Sequence, residues 1–340
     1  MRHTGGVRPR ARAAALLPLA VLLPALLAAC SGSDSAGDPG APAAAGGNVF
    51  AERPQTVLPN PRVVAAARQA EADGDQHATD VLDPIAGVPT EIWLTPEQLP
   101  VDQVGGYVTN VVAEAGSSTV PLFVIYGIPD RDCTGVFSAG GLTVDTYLPW
   151  VQAIADAAGD TSAVVLEPDA LASSVACTGD TDRIRLLTHA TEALDADGVT
   201  TYLDAGHSYW VPAPKMARLL SEIGVASVRG FATNVSNYQP LSRERAYASQ
   251  LSGLLDGAHY VIDTGRDGDP SGAAQPVEDW CNPVDQALGD EPGYVDDGSP
   301  LDGLLWIKPP AESDGPCHGG PDAGEIWIER AVQLGEAAGW

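Results

Sequence analysis

Acidic residues collect where strand-like apolar runs end. Val164-Val165-Leu166 runs into Glu167-Pro168-Asp169, and residues 122–126 lead to Pro129-Asp130-Arg131-Asp132-Cys133. Thr201-Tyr202-Leu203 ends at Asp204-Ala205-Gly206-His207, and residues 304–310 lead to Glu312 and Asp314. Cleaving an acetal by acid–base chemistry needs a protonated carboxyl to donate to the leaving oxygen. It also needs a carboxylate, direct or through water, to activate the nucleophile. Asp169 is the best donor candidate: it follows a proline at the end of an apolar run, where partial burial and a neighbouring carboxylate such as Asp132 both raise a carboxyl pKa. Any one of these acids could instead cap the helix that follows it. Several on one rim point to a site. Trp210, close behind Asp204 and His207, and Trp280, beside Cys281, lie in loops where an indole face can stack on a sugar. Trp93, Trp306 and Trp327 lie in apolar runs and read as core.

Other chemistries find less support. There is no GxSxG elbow, P-loop or dinucleotide fingerprint. His207 and Ser208 are chain neighbours, which does not make a triad. Histidine is too sparse at the strand ends, and the cysteines too far apart, for a metal centre.

To bring these acids together the chain must alternate strands and helices. Strand-like runs cover residues 91–94, 120–128, 162–167, 200–204, 227–233, 259–264 and 303–308. Apolar spacing near i, i+3, i+4 predicts helices over 62–72, 101–115, 144–158, 182–197, 212–223, 243–255 and 325–338. That alternation predicts an α/β fold with a parallel sheet. An open doubly wound sheet concentrates its site at one switch point, whereas a barrel builds it around the C-terminal rim of many strands. Acids at several strand ends favour the barrel.

The N-terminus reads as a targeting segment, 1–30. Four arginines precede an apolar run that stops at Leu27-Ala28-Ala29-Cys30, the pattern of a bacterial lipoprotein signal with Cys30 as the lipidated residue. Residues 31–47 are rich in Ser, Gly, Ala and Pro and read as a flexible linker to one domain over 48–340. The net charge of −27 argues against nucleic acid and against electrostatic binding to anionic lipid. Membrane contact is therefore expected only through the lipid on Cys30, on an exported, surface-anchored or secreted protein. Of the five cysteines, Cys30 is then accounted for, and export favours two disulfides among Cys133, Cys177, Cys281 and Cys317. Three pairings are open. Sequential pairing, 133–177 and 281–317, is preferred because each pair flanks one acidic loop.

Six motifs in order carry a resemblance to glycoside hydrolase family 6, the inverting cellulases. They are Val124-Ile125-Tyr126-Gly127-Ile128-Pro129-Asp130-Arg131-Asp132-Cys133, Leu166-Glu167-Pro168-Asp169-Ala170-Leu171, Tyr202-Leu203-Asp204-Ala205-Gly206-His207-Ser208-Tyr209-Trp210, residues 230–238 around Asn234, Asp279-Trp280-Cys281-Asn282-Pro283, and residues 305–315 from Leu305 to Gly315. The resemblance spans essentially everything from Asn48 onward. It implies a distorted TIM-like barrel of about seven parallel strands, with hydrolysis of β-1,4-glucan by inversion and no cofactor. By position, Asp169 is implied as general acid, Asp132 as its modulator and Asp314 as candidate base. Tyr126 is implied to sit against the distorted sugar. Trp210 and Trp280 are implied as stacking residues and Lys308 and Glu312 as hydroxyl ligands, for which the alternative is a surface ion pair. His207 and Asn234 are implied as cleft residues, and Asp204 as a cleft or scaffold residue. The family's disulfides match the sequential pairing.

Two departures shape the expectation. Relatives place a tryptophan early in the domain to stack sugar on the donor side, and no tryptophan occurs between Cys30 and Trp93. Only a short stretch separates Asp314 from Cys317, where cellobiohydrolases insert a long roofing loop. The short form implies an open cleft and attack on internal bonds by a monomeric endoglucanase. The alternatives are an exo-acting cellobiohydrolase and a lipid-anchored glucan-binding protein without turnover.

Overall fold

The structure is a computed structural model that describes residues 47–133, 137–177 and 182–340. The signal segment, Cys30 and all of the linker but Gly47 lie outside the described residues. Among those described, no helix is long and apolar enough to cross a membrane.

Seven parallel strands form the expected curled sheet: β1 (Ile92–Leu94), β2 (Leu122–Ile125), β3 (Ala163–Leu166), β4 (Thr200–Asp204), β5 (Gly230–Thr233), β6 (His259–Asp263) and, after a two-residue antiparallel edge strand β7 (Gly293–Tyr294), β8 (Leu301–Leu305). The order is β1-β2-β3-β4-β5-β6-β8-β7. Strand β1 pairs only with β2, so the barrel keeps a seam between β1 and β8. The Trp93 indole N–H, donating to Ile307 O at 2.9 Å, links the two sides.

Side chains alternate across the sheet as the two-residue strand period requires. Leu122, Val124, Ala163, Val165, Val261 and Leu305 fill the barrel interior. Their neighbours Phe123, Ile125, Val164, Leu166 and Ile262 face the helices. Tyr202 plugs the N-terminal end of the barrel: its hydroxyl donates to Asp302, which also takes two 2.7 Å bonds from Arg229.

Helices α1 (Pro61–Asp73), α2 (Gln76–Gly87), α3 (Val101–Ala115), α4 (Val144–Ala158), α5 (Ala170–Ser173), α6 (Arg183–Ala196), α7 (Ala213–Glu222), α8 (Leu241–Leu254) and α9 (Ile328–Ala338) complete the order. The short α5 and the whole of α2 are additional to the expected set. Pro84 inside α2 hides the helical period. Asp75 caps it by accepting from Ala78 N at 3.1 Å, and Val81, Leu82 and Ile85 are buried with Trp306, Ala331 and Leu334 in a separate cluster.

Several strands stop short of their apolar runs for a shared reason. The Gly127 N–H beyond β2 goes to the Glu167 carboxylate at 3.0 Å. Beyond β8, the Ile307 and Lys308 N–H groups go to the Asp263 carboxylate at 3.2 and 3.0 Å. Buried carboxylates capture the amides that would have extended the ladders, and the chain turns away at the rim.

Candidate active site

The rim acids fall into two groups. Glu167, Asp204 and Asp263 are buried and point back into the fold. Asp204 Oδ2 accepts from Asp169 N at 2.9 Å and Gly206 N at 3.0 Å. Asp263 takes four backbone N–H bonds, from Ser236, Gly265, Ile307 and Lys308. Asp132, Asp169 and Asp314 instead line one cavity of about 960 Å³, at the upper end of the roughly 300–1,000 Å³ usual for ligand pockets.

Asp169 sits at the turn after β3 with φ 68°, two residues beyond Glu167 at φ 48°. Such left-handed backbone costs non-glycine residues about 1 kcal/mol or more, and it gathers at functional sites where surrounding bonds enforce it. Here Asp204, which fixes the Asp169 amide, and Glu167, which holds Gly127, supply those bonds. Asp169 precedes α5, but its carboxylate makes no capping bond, so the capping alternative does not apply. Burial, then the charges of Asp132 and Asp314, push its pKa up to about 7, with Lys308 pulling the other way.

Asp132 is also left-handed, at φ 56°, and its Oδ2 accepts from Ser138 N at 3.2 Å. The buried Arg131 braces this loop by donating to Tyr126 O at 2.7 Å, Ser138 O at 2.9 Å and Glu97 at 3.0 Å. Its guanidinium lies 4.5 Å from the centre of the Tyr126 ring. The Tyr126 phenol is pushed upward by burial and by Asp169, so it remains a hydrogen-bond donor at ordinary pH.

Asp314 is 8% exposed and fully engaged. Its Oδ1 accepts from Arg266 at 2.9 Å, and its Oδ2 from Tyr238 OH at 2.6 Å and Asn282 N at 3.1 Å. The Asn282 side chain returns a bond, accepting from Asp314 N at 2.9 Å. Cys281, the neighbour of Asn282, is joined to Cys317, and Cys133 to Cys177, which is the sequential pairing expected.

Trp210 and Trp280 stand on the cleft wall at 37% and 48% exposure. His207 lies 5.5 Å from the Trp210 ring, and burial pulls its pKa down to about 4, so it is neutral at ordinary pH. Lys308 and Glu312 form an ion pair at 3.3 Å, but at 11% and 20% side-chain exposure it is not the surface pair of the alternative, and both residues line the cleft. Two candidates lie elsewhere. Asp204 is behind the rim, as described, and Asn234 is buried, its amide donating to Gln239 O at 3.2 Å and Asp263 O at 3.0 Å. Neither is among the residues lining the cavity, because both are consumed in holding rim loops.

Trp93 corrects the core assignment. It lines the cavity, packs edge-on to Tyr126 at 5.2 Å and has Lys308 Nζ 5.4 Å from its ring. Its neighbour Leu94 is buried against the helices, so alternation placed Trp93 on the inner face. The signal that was lacking was the seam, which opens that inner face to the cleft. Phe137, which no motif or apolar run marks in the sequence, also lines the cleft: it lies 6.0 Å from Trp280 and against Gly315, where an added Cβ would stand 2.6 Å from its ring. Among the described residues, no group of three or more His, Cys, Asp or Glu side chains is arranged to hold a metal ion.

A family model described as Glycosyl hydrolases family 6 matches residues 50–338. Endoglucanase A of Cellulomonas fimi is 42% identical over 238 residues, covering 70% of this chain and 51% of that protein. The chain thus spans about half the length of that relative. A 1,4-beta-D-glucan cellobiohydrolase, CEL6B of Podospora anserina, is 32% identical over 299 residues, covering 73% of this chain and 71% of that protein. Among solved structures, the endoglucanase Cel6 of Mycobacterium tuberculosis, in complex with a methyl-cellobiosyl-4-deoxy-4-thio-β-D-cellobioside, superposes with a TM-score of 0.77 at 38% identity. That match covers 86% of this chain and all of that one.

Proposed function

Because the chain belongs to glycosyl hydrolase family 6, we propose that it hydrolyses internal β-1,4-glucosidic bonds of a glucan with inversion, with Asp169 as the general acid. The observation that carries this reading is Asp169 itself. It is held in left-handed backbone in an aromatic-walled cleft, where burial first, and then the charges of Asp132 and Asp314, push its pKa up to about 7. A carboxyl in that state can give its proton to the departing glycosidic oxygen near neutrality. Asp132 sustains that proton by charge. Asp314 is the candidate base. Its carboxylate is paired with Arg266 and accepts from Tyr238 and Asn282, which fixes its orientation, and a free lone pair on Oδ1 can take the proton of the attacking water directly or through an intervening water. Trp93, Trp210 and Trp280 offer ring faces to successive glucosyl units, and Lys308 and Glu312 offer polar groups to their hydroxyls.

Attack on internal bonds is supported by the short passage from Asp314 to Cys317; among the described residues, Phe137 packs against Gly315 at that point. Export is supported by the two disulfides. Lipidation at Cys30 is proposed from the sequence, and mass spectrometry of the mature N-terminus tests it.

The test of function is a product profile on carboxymethylcellulose and barley β-glucan with the anomeric form of the new ends read by NMR. Inverted ends, with a fast fall in viscosity per reducing end, are expected. Retained configuration sinks the mechanism, slow viscosity loss indicates exo-action, and binding without products leaves a glucan-binding protein. Asp169→Ala should lose at least about a hundredfold in kcat while the protein still folds, as circular dichroism reads it. Near-normal kcat removes Asp169 as the acid.

A further inference from the structure

The cleft does not end at Trp93. Its wall continues past β1 onto α3, where Tyr107 lines the same cavity as Asp169 at 38% exposure. Helix α3 is anchored without that ring, since Val104, Val108, Val111 and Ala115 are its buried residues. Among the described residues, the Tyr107 hydroxyl makes no hydrogen bond. Gln98, exposed in the segment between β1 and α3, lines the cavity too, and its side-chain amide is likewise uncommitted among the described residues. The buried half of Leu58 lies on the same stretch of wall.

The sheet order fixes where this stretch lies. Asp132 and Asp169 follow β2 and β3, Trp210 follows β4, and Tyr107 belongs to the β1 side. Asp132 and Asp169 therefore stand between Tyr107 and Trp210 in the order of the sheet, while Asp314 comes from β8. An uncommitted aromatic face and an amide donor and acceptor lining the same cavity are the chemistry that recognises a pyranose: the ring stacks on the apolar sugar face and the amide meets hydroxyls. We propose that Tyr107 and Gln98 form a further glucosyl-binding position beyond Trp93, at the end of the cleft away from Trp210, occupied only by β-1,4-glucan chains long enough to reach it. This rests on the glucan reading above and adds to it a dependence on chain length.

The test compares kcat/KM on cellohexaose with kcat/KM on cellotetraose. In Tyr107→Ala the hexaose-to-tetraose ratio should fall about threefold to tenfold, the size of one stacking contact, mainly through KM. Tyr107→Trp should restore it. A ratio that stays at its wild-type value in Tyr107→Ala overturns the proposal. If the wild-type protein cleaves neither sugar, the glucanase reading fails separately, and calorimetric titration decides this one. Weaker cellohexaose binding by Tyr107→Ala, relative to cellotetraose, supports it, and an equal effect on both sugars overturns it.

Discussion

Asp169 and Asp204 end neighbouring strands with the same side-chain chemistry, yet only Asp169 lines the cleft. The difference lies in backbone amides. Asp204 accepts two of them and is fixed behind the rim, whereas Asp169, at φ 68°, is turned toward open space with two carboxylates for company. That company is testable. Replacing Asp132 with Asn removes a negative charge that raises the Asp169 pKa, so the pKa should fall. The alkaline limb of the kcat/KM profile should move to lower pH than the wild-type value near 7. A limb that stays in place shows that burial and Asp314 set the Asp169 pKa without Asp132. The acids as a group were readable from the chain, because a carboxylate after an apolar run is visible in one dimension. Which of them face the cleft was not, because that depends on which amides each can reach after folding. Asn234 shows the same limit: it sits within a family-like motif but spends both ends of its amide on Gln239 and Asp263.

At the scale of elements, all seven parallel strands were predictable from apolar runs, and the bounds of β4 with them, while the ends of β2 and β8 were not. A run such as 120–128 reads as one strand, and the sequence carries no mark of the Glu167 carboxylate that takes Gly127 N away from the ladder. Helix α2 was missed because Pro84 interrupts its pattern, and tertiary packing against α9 and Trp306 makes good the lost bond. The loop between β6 and β8 depends on a different constraint. Cys281–Cys317 closes 36 residues and carries Trp280, Asn282 and the partner bonds of Asp314. Replacing both cysteines with serine should cost about 2–4 kcal/mol, read by denaturant unfolding. Activity should fall further than Trp280 alone explains, because Asn282 no longer holds Asp314. An unchanged unfolding midpoint argues that the loop is fixed by its hydrogen bonds.

The whole molecule carries its acids at a thermodynamic cost. Burial raises Glu167 and Glu244 to about 7, Asp169 to about 7 and Asp263 to about 6. A carboxyl whose folded pKa exceeds its unfolded value of about 4 holds its proton more tightly when folded. Its contribution is complete below pH 4 and is lost as pH rises through 6 to 7. His207, lowered to about 4, acts in the opposite sense, losing stability as pH falls from 6.5 toward 4. Four carboxyls outweigh one imidazole, and the net charge of −27 adds repulsion as pH rises. The melting temperature should therefore drop between pH 5 and 7.5, by about 1–2 °C for each kcal/mol lost. Scanning calorimetry across that interval checks it, and a melting temperature that rises toward pH 7.5 contradicts the ionisation scheme. The seam has a mechanical consequence of another kind. Every other parallel neighbour in the sheet is bound by a ladder, but β1 meets β8 through one hydrogen bond among the described residues, from the Trp93 indole to Ile307. Opening the seam there breaks one hydrogen bond, about 1 kcal/mol, and also disturbs the contacts of the Trp93 ring with Tyr126 and Lys308, so any change in the width of the cleft at that point is felt by two groups that line the site with Asp169.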